Sequence, residues 1–130
     1  MIEFRLDTKS GVAPYMQLAQ QVRHALRLGL LRAGDQLPRV KDVVGSLAIN
    51  PNTVLKAYRE LEREGLLEGR PGVGTFVLRG LDGPPPRTHA ALQRSLERWL
   101  KTALEAGLDL ESVRALFDTA VRNDSQRDIA

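Results

Sequence analysis

The sequence predicts a mainly α-helical chain carrying one small β-hairpin, with a further pair of helices after it, on three observations. Apolar residues recur at helical spacing in three segments between Pro14 and Leu61. Two short strand-like stretches, Leu66 to Arg70 and Thr75 to Leu78, flank the turn-forming Pro71-Gly72-Val73-Gly74. A proline run, Gly83-Pro84-Pro85-Pro86, then interrupts the chain before two more amphipathic segments.

The first helix starts at Pro14, whose fixed φ suits a first helical position, and places Tyr15, Leu18, Ala19, Val22, Ala25, Leu26 and Leu30 on one face. It spans about four turns, and Ala33-Gly34-Asp35 is the expected turn after it. Leu37-Pro38 redirects the chain into a second, shorter helix from about Val40 to Leu47, with Val40, Val43, Val44 and Leu47 inward. The short connection Ala48-Ile49-Asn50 leads into a third helix. Asn50 is a good N-cap there, Pro51 fits the first helical position, and Gly65 is the stop. Val54, Ala57, Tyr58 and Leu61 form its inward face. The order is that of a helix-turn-helix followed by a wing.

The outward face of the third helix presents Asn52, Thr53, Lys56, Arg59 and Arg63, with Leu55 unexpectedly among them. Short polar groups at a helix start, followed by cations along one side, suit a helix that enters the major groove of DNA. The first residues reach base edges and the longer side chains reach phosphates. Asn52 can pair with adenine, and Thr53 with a thymine methyl or a phosphate. A capped helix start with a solvated cationic face, paired with Glu60, Glu62 and Glu64, accounts for the same residues without DNA. The hairpin tilts the reading, because Arg70 beside Gly72 and Gly74 can bring backbone amides close to phosphate. Glycines at this spacing are weak evidence alone, and no Gly-Lys-Ser/Thr follows to make a nucleotide-binding loop.

Composition excludes several other classes. The chain has 130 residues, 42% of them hydrophobic, enough for a real core. With no cysteine and only His24 and His89, it lacks the ligands of a zinc finger, the partners of a disulfide and a thiol nucleophile. No carboxylate cluster suggests another metal, so no metal and no cofactor are expected. No catalytic Ser/His/Asp or Cys/His set is available, so an enzyme is not expected. No apolar run approaches the roughly 20 residues of a membrane span and no export signal is visible, so the expected location is the cytoplasm, without membrane contact. The net charge is +3, but residues 1–80 hold 12 Lys/Arg against 8 Asp/Glu, and residues 81–130 hold 7 against 8. The positive excess lies in the N-terminal part.

Several spaced motifs now fall into order: Pro14-Tyr15, Gln17-Leu18-Ala19, Gly34-Asp35-Gln36-Leu37-Pro38, Asn50-Pro51-Asn52-Thr53-Val54, Lys56-Ala57-Tyr58-Arg59-Glu60-Leu61-Glu62, Glu64-Gly65-Leu66 and Gly74-Thr75-Phe76-Val77. Over about residues 9–79 this set resembles the winged-helix domain of the GntR family of bacterial transcription regulators. The wording of the third helix and the very short C-terminal part resemble its YtrA subfamily. The resemblance implies DNA contacts residue by residue. Lys41 occupies a place usually held by arginine, keeping the charge while losing the bidentate fork. Arg39 stands where the family commonly has a small residue such as serine, and either adds a phosphate contact or sits in water. Asn50, Asn52 and Thr53 match the start of the recognition helix, whereas Leu55 stands where many relatives have a polar or basic residue. Gly72 and Gly74 match the wing. The DNA-binding candidates are therefore Arg39, Lys41, Asn50, Asn52, Thr53, Lys56, Arg59, Arg70, Gly72 and Thr75.

The expected organisation is a winged helix-turn-helix domain over residues 1–80, a Pro/Gly linker over 81–87 and a two-helix region over 88–130. In that region Leu92, Leu96, Trp99, Leu100 and Leu104 form one apolar stripe, Gly107 breaks the helix, and Leu110, Val113, Leu116 and Phe117 form another. Two such helices carry more apolar face than they can bury against each other, and a partner chain is the simplest outlet. In YtrA-like proteins such helices are the dimerisation unit, which the resemblance implies here; folding back on the chain's own winged helix is the alternative. Trp99 and Phe117 are read as core anchors. The expected function is a repressor-type regulator that binds double-stranded DNA at a palindromic operator as a homodimer. A small effector at the dimer interface, or a change in protein abundance, would regulate it. The rival class is a protein-interaction adaptor that uses the winged helix as a docking module.

Overall fold

The computed structural model describes residues 2–81 and 86–129. Its elements run α1 (Pro14–Arg27), α2 (Val40–Leu47), α3 (Pro51–Arg63), β1 (Leu67–Arg70), β2 (Gly74–Val77), α4 (Pro86–Glu105) and α5 (Leu110–Ile129). The chain divides into two compact units, Met1–Pro86 and Arg87–Ala130.

The first unit is built around α3, which packs on α1, α2 and β1. Its inward residues Val54, Ala57, Tyr58 and Leu61 are all buried, against Leu18, Val22 and Leu26 of α1 and Val43 of α2 in one core. The local signals act as chemistry requires. The Asn50 carboxamide oxygen accepts from the Asn52 backbone N–H at 2.9 Å, and Pro51 supplies no N–H that would need a partner. Gly65, at φ 78°, follows the last turn. The short α2–α3 connection turns on Ala48 at φ 53°, the one non-glycine residue in the left-handed region among those described.

Helix α1 is shorter than its apolar pattern suggests. It ends at Arg27, Gly29 takes a left-handed φ of 71°, and the N–H groups of Leu30 and Leu31 both donate to the Ala25 carbonyl. This turn throws Leu30, expected on the inward face, into solvent at 70% exposure and buries Leu31 in its place. Strand β1 pairs with β2 antiparallel, Leu67 opposite Val77 and Arg70 opposite Gly74. The Val73 N–H donates to the Arg70 carbonyl with Gly72 at φ 75°, a type II turn with Pro71 in its favoured first central position. Residues 34–37 lie along the other edge of β2, with Leu37 N–H to Thr75 carbonyl and Val77 N–H to Asp35 carbonyl, both 2.8 Å.

The N-terminal segment, unremarked in the sequence pattern, also belongs to this core. Phe4 is buried, and Gln21 and Gln17 of α1 grip the backbone of Arg5 and Asp7 through their carboxamides, which stand in for a neighbouring strand. The Phe4 ring meets Tyr58 at 6.5 Å between centroids. The Tyr58 hydroxyl donates to the Pro38 carbonyl at 2.5 Å, fastening the chain just ahead of α2 to α3.

In the second unit, α4 includes Pro86 at its first position, so the last two residues of the expected linker are helical; residues 82–85 lie outside those described. Gly107, at φ 99°, follows α4, and the Asp109 carboxylate caps α5 by accepting from the Ser112 N–H at 2.7 Å. That hydrogen bond holds the Asp109 carboxyl below its ordinary pKa. Ala103 and Val113 are buried near the connection, and beyond them the helices leave an open apolar groove of about 340 Å³ lined by Leu96, Trp99, Leu100, Val113 and Phe117, with Arg114 and Asp118 at its rim. Trp99 and Phe117, read as core anchors, are 37% and 50% exposed within the chain, because α4 and α5 pack closely only near their connection.

Burial pushes the Tyr58 pKa well above its ordinary value. A group whose pKa is raised on folding stabilises fully below its unfolded value and loses that contribution as pH rises past it, here above about 10. Tyr58→Phe should lower unfolding stability by about 1–3 kcal/mol at neutral pH by leaving the Pro38 carbonyl unpaired. It should also flatten the alkaline decline; denaturant titrations of both proteins at pH 7 and above pH 10 measure both effects.

Candidate nucleic-acid interface

One open groove of about 850 Å³ runs between the start of α2, the outer face of α3 and the hairpin. It brings together six of the ten DNA-binding candidates: Arg39, Lys41, Arg59, Arg70, Gly72 and Thr75. Its lining holds four cations and no carboxylate. Arg39, Lys41 and Arg59 are exposed, and none forms an ion pair with another described residue. Arg70 is more constrained, because its guanidinium lies 4.4 Å from the Phe76 ring centroid and 3.3 Å from the Glu68 carboxylate.

Glu60 of α3 and Glu64 just after it pair with arginines and are not part of the groove lining. Glu64 makes a two-pronged pair with Arg23 of α1, the shorter contact 2.7 Å, and Glu60 pairs with Arg63 at 3.4 Å. The solvated-face alternative therefore describes Arg63, while Arg59 is left unpaired on the groove side.

The other four candidates, Asn50, Asn52, Thr53 and Lys56, are not part of the groove lining. Asn50 is occupied as a helix cap through its side-chain oxygen. Asn52 is exposed and Thr53 half-buried on the first turn of α3. The Lys56 ammonium sits 4.0 Å from the Tyr15 ring centroid, drawn toward α1 by a cation–π contact that helical spacing alone does not reveal.

Two features of the groove depend on packing that the sequence pattern does not show. Leu55, out of place on a polar face, is half-buried and lines the groove beside Arg59. Arg39, expected to meet phosphate or water, donates from Nη2 to the Val73 carbonyl at the hairpin tip, 3.2 Å away, and Gln36 Nε2 reaches the same oxygen at 3.4 Å.

Comparison with known proteins agrees with this arrangement. The family model described as bacterial regulatory proteins, gntR family, matches residues 14–77, from the start of α1 to the end of β2. The HTH-type transcriptional repressor YtrA of Bacillus subtilis is 41% identical over 73 residues, which span 56% of each chain. The HTH-type transcriptional regulator Rv1152 of Mycobacterium tuberculosis is 38% identical over 104 residues, covering 80% of this chain and 82% of that protein. Among solved structures, YtrA from Sulfolobus acidocaldarius, a GntR-family transcription factor, superposes with a TM-score of 0.53 at 26% identity, covering 75% of this chain and 97% of that one. No described helix is long and apolar enough to cross a membrane. The winged helix-turn-helix, its cationic groove and these likenesses together place the chain in the GntR family of bacterial transcriptional regulators, as a YtrA-like member.

Proposed function

We propose that the protein is a repressor that binds a palindromic DNA operator as a homodimer, in the cytoplasm. The observation that carries this reading is the groove whose lining holds four cations and no carboxylate, framed by a recognition helix and a hairpin tip. Arg39, Lys41 and Arg59, without carboxylate partners among the described residues, contribute little to folding in water, but each one that meets a phosphate releases condensed counterions and gains affinity. Asn52, exposed, and Thr53, half-buried, stand on the first turn of α3, and in this reading they meet base edges. Lys41, Arg59 and Arg70 meet phosphates, and the glycine tip brings backbone close to the strand. Lys56 joins them by leaving the Tyr15 ring.

The dimer is supported by apolar surface without cover. Leu92, Leu96, Leu104, Leu110, Leu116 and Phe117 are each 44% exposed or more, and the partly exposed Leu100 and Trp99 continue the same faces. So much exposed apolar surface on two helices marks an interaction face. Pairing through α4 and α5 would present two recognition helices to half-sites about one helical turn or slightly more apart. The α4–α5 groove, about 340 Å³ and at the low end of ligand-pocket sizes, is where a small effector would enter the dimer interface.

Selection from a random DNA pool by the purified protein at physiological salt should recover an inverted repeat; recovery of no sequence above background would overturn the reading in favour of a docking module. On the recovered site, Arg59→Ala should weaken binding to all sequences and reduce the slope of log K against log salt by about 0.9. Asn52→Ala should instead change which base is preferred at one position in each half-site.

Removal of residues 88–130 should leave a folded monomer, since the core cluster lies wholly in the first unit. Its affinity for the inverted repeat should fall by about 10²-fold or more through lost bivalency. Sedimentation velocity reads the assembly state, and a truncated protein that is still dimeric would sink the assignment of α4 and α5.

A further inference from the structure

The hairpin tip, Pro71 to Val73, projects past the last ladder pair, Arg70 with Gly74. Gly72 and Gly74, at φ 75° and 143°, give the turn wide conformational freedom, and the Val73 side chain between them is 51% exposed. Beyond the turn's own Val73 N–H to Arg70 bond and the β1–β2 ladder, whose last pair is Arg70 with Gly74, the side-chain hydrogen bonds that reach the tip among the described residues come from one direction. Arg39 Nη2 and Gln36 Nε2 both donate to the Val73 carbonyl, from just before α2 across the groove. Packing agrees with this, because a Cβ added at Gly74 would lie 2.6 Å from Gln36 Nε2. Absence of a side chain at position 74 is what lets Gln36 approach the tip.

We infer that Arg39 and Gln36 form a latch that sets the position of the hairpin tip relative to α2 and α3, so that Arg39 is a positioning residue for DNA binding rather than only a phosphate contact. The inference rests on the operator-binding reading above. A guanidinium carries five N–H donors in a rigid fork, so one can hold the Val73 carbonyl while others remain directed at the groove. Order in the tip before binding removes part of the entropy cost of ordering it against DNA.

The test combines backbone amide exchange of the free full-length protein with affinity for the inverted-repeat DNA recovered by selection. Arg39→Ala and Gln36→Ala should both accelerate exchange at Val73 and Gly74 while leaving α3 amides protected, which also certifies that each variant is folded. Arg39→Ala should raise Kd about tenfold, the equivalent of one charge-assisted hydrogen bond. Gln36→Ala should raise it several-fold with no change in salt slope, because no charge is removed. Unchanged exchange at the tip in Arg39→Ala overturns the latch, whatever the affinity. Faster exchange with unchanged Kd overturns the positioning role. If the unaltered protein binds no DNA, operator binding fails, while the exchange measurement still decides whether the latch exists.

Discussion

Helix α3 satisfies two opposed demands on 13 residues, and the rest of the first unit depends on that division. One side is sealed into the core by Val54, Ala57, Tyr58 and Leu61, each at most 3% exposed. That burial fixes the rotation of the helix, and only a fixed rotation can keep Asn52, Leu55 and Arg59 turned outward together. Tyr58 extends the constraint beyond its own helix. Its hydroxyl holds Pro38, which places Arg39 and Lys41 at the head of α2, so the core and the groove share one residue.

The electrostatics follow the same division. Glu64, just past α3, joins α1 and Glu60 pairs within the helix, and neither lines the groove. The groove's cations are left to water among the described residues, except where Arg70 leans on Phe76 and Glu68 and Arg39 reaches Val73. Exposed ion pairs add little stability, so this partition is better understood through the surface it leaves than through the energy it supplies. A surface of one sign beside a helix start is what attracts and orients a polyanion.

Legibility in the sequence tracked how local each cause was. Asn50, Pro51 and Gly65 mark the limits of α3 through the backbone groups of neighbouring residues, and helix and hairpin stand where those signals put them. At the end of α1 the apolar stripe runs on through Leu30, whereas Gly29 breaks the helix and passes the buried place to Leu31. Long-range pairings left no local trace. Phe4 reaches the core on a segment whose backbone Gln17 and Gln21 hold at Arg5 and Asp7, and Arg39 engages a carbonyl 34 residues away. Six groove candidates could be named from family pattern and residue chemistry, but Lys56 leaning on Tyr15 depends on the packing of α1 against α3.

The most direct test of the account is residue-by-residue amide chemical-shift mapping as inverted-repeat DNA is titrated into the full chain. The account predicts that the largest changes fall at the start of α2, along Asn52 to Arg59 and across Arg70 to Thr75, with α4 and α5 little affected by DNA at constant assembly state. Changes concentrated on α4 and α5, with the groove residues silent, would contradict it.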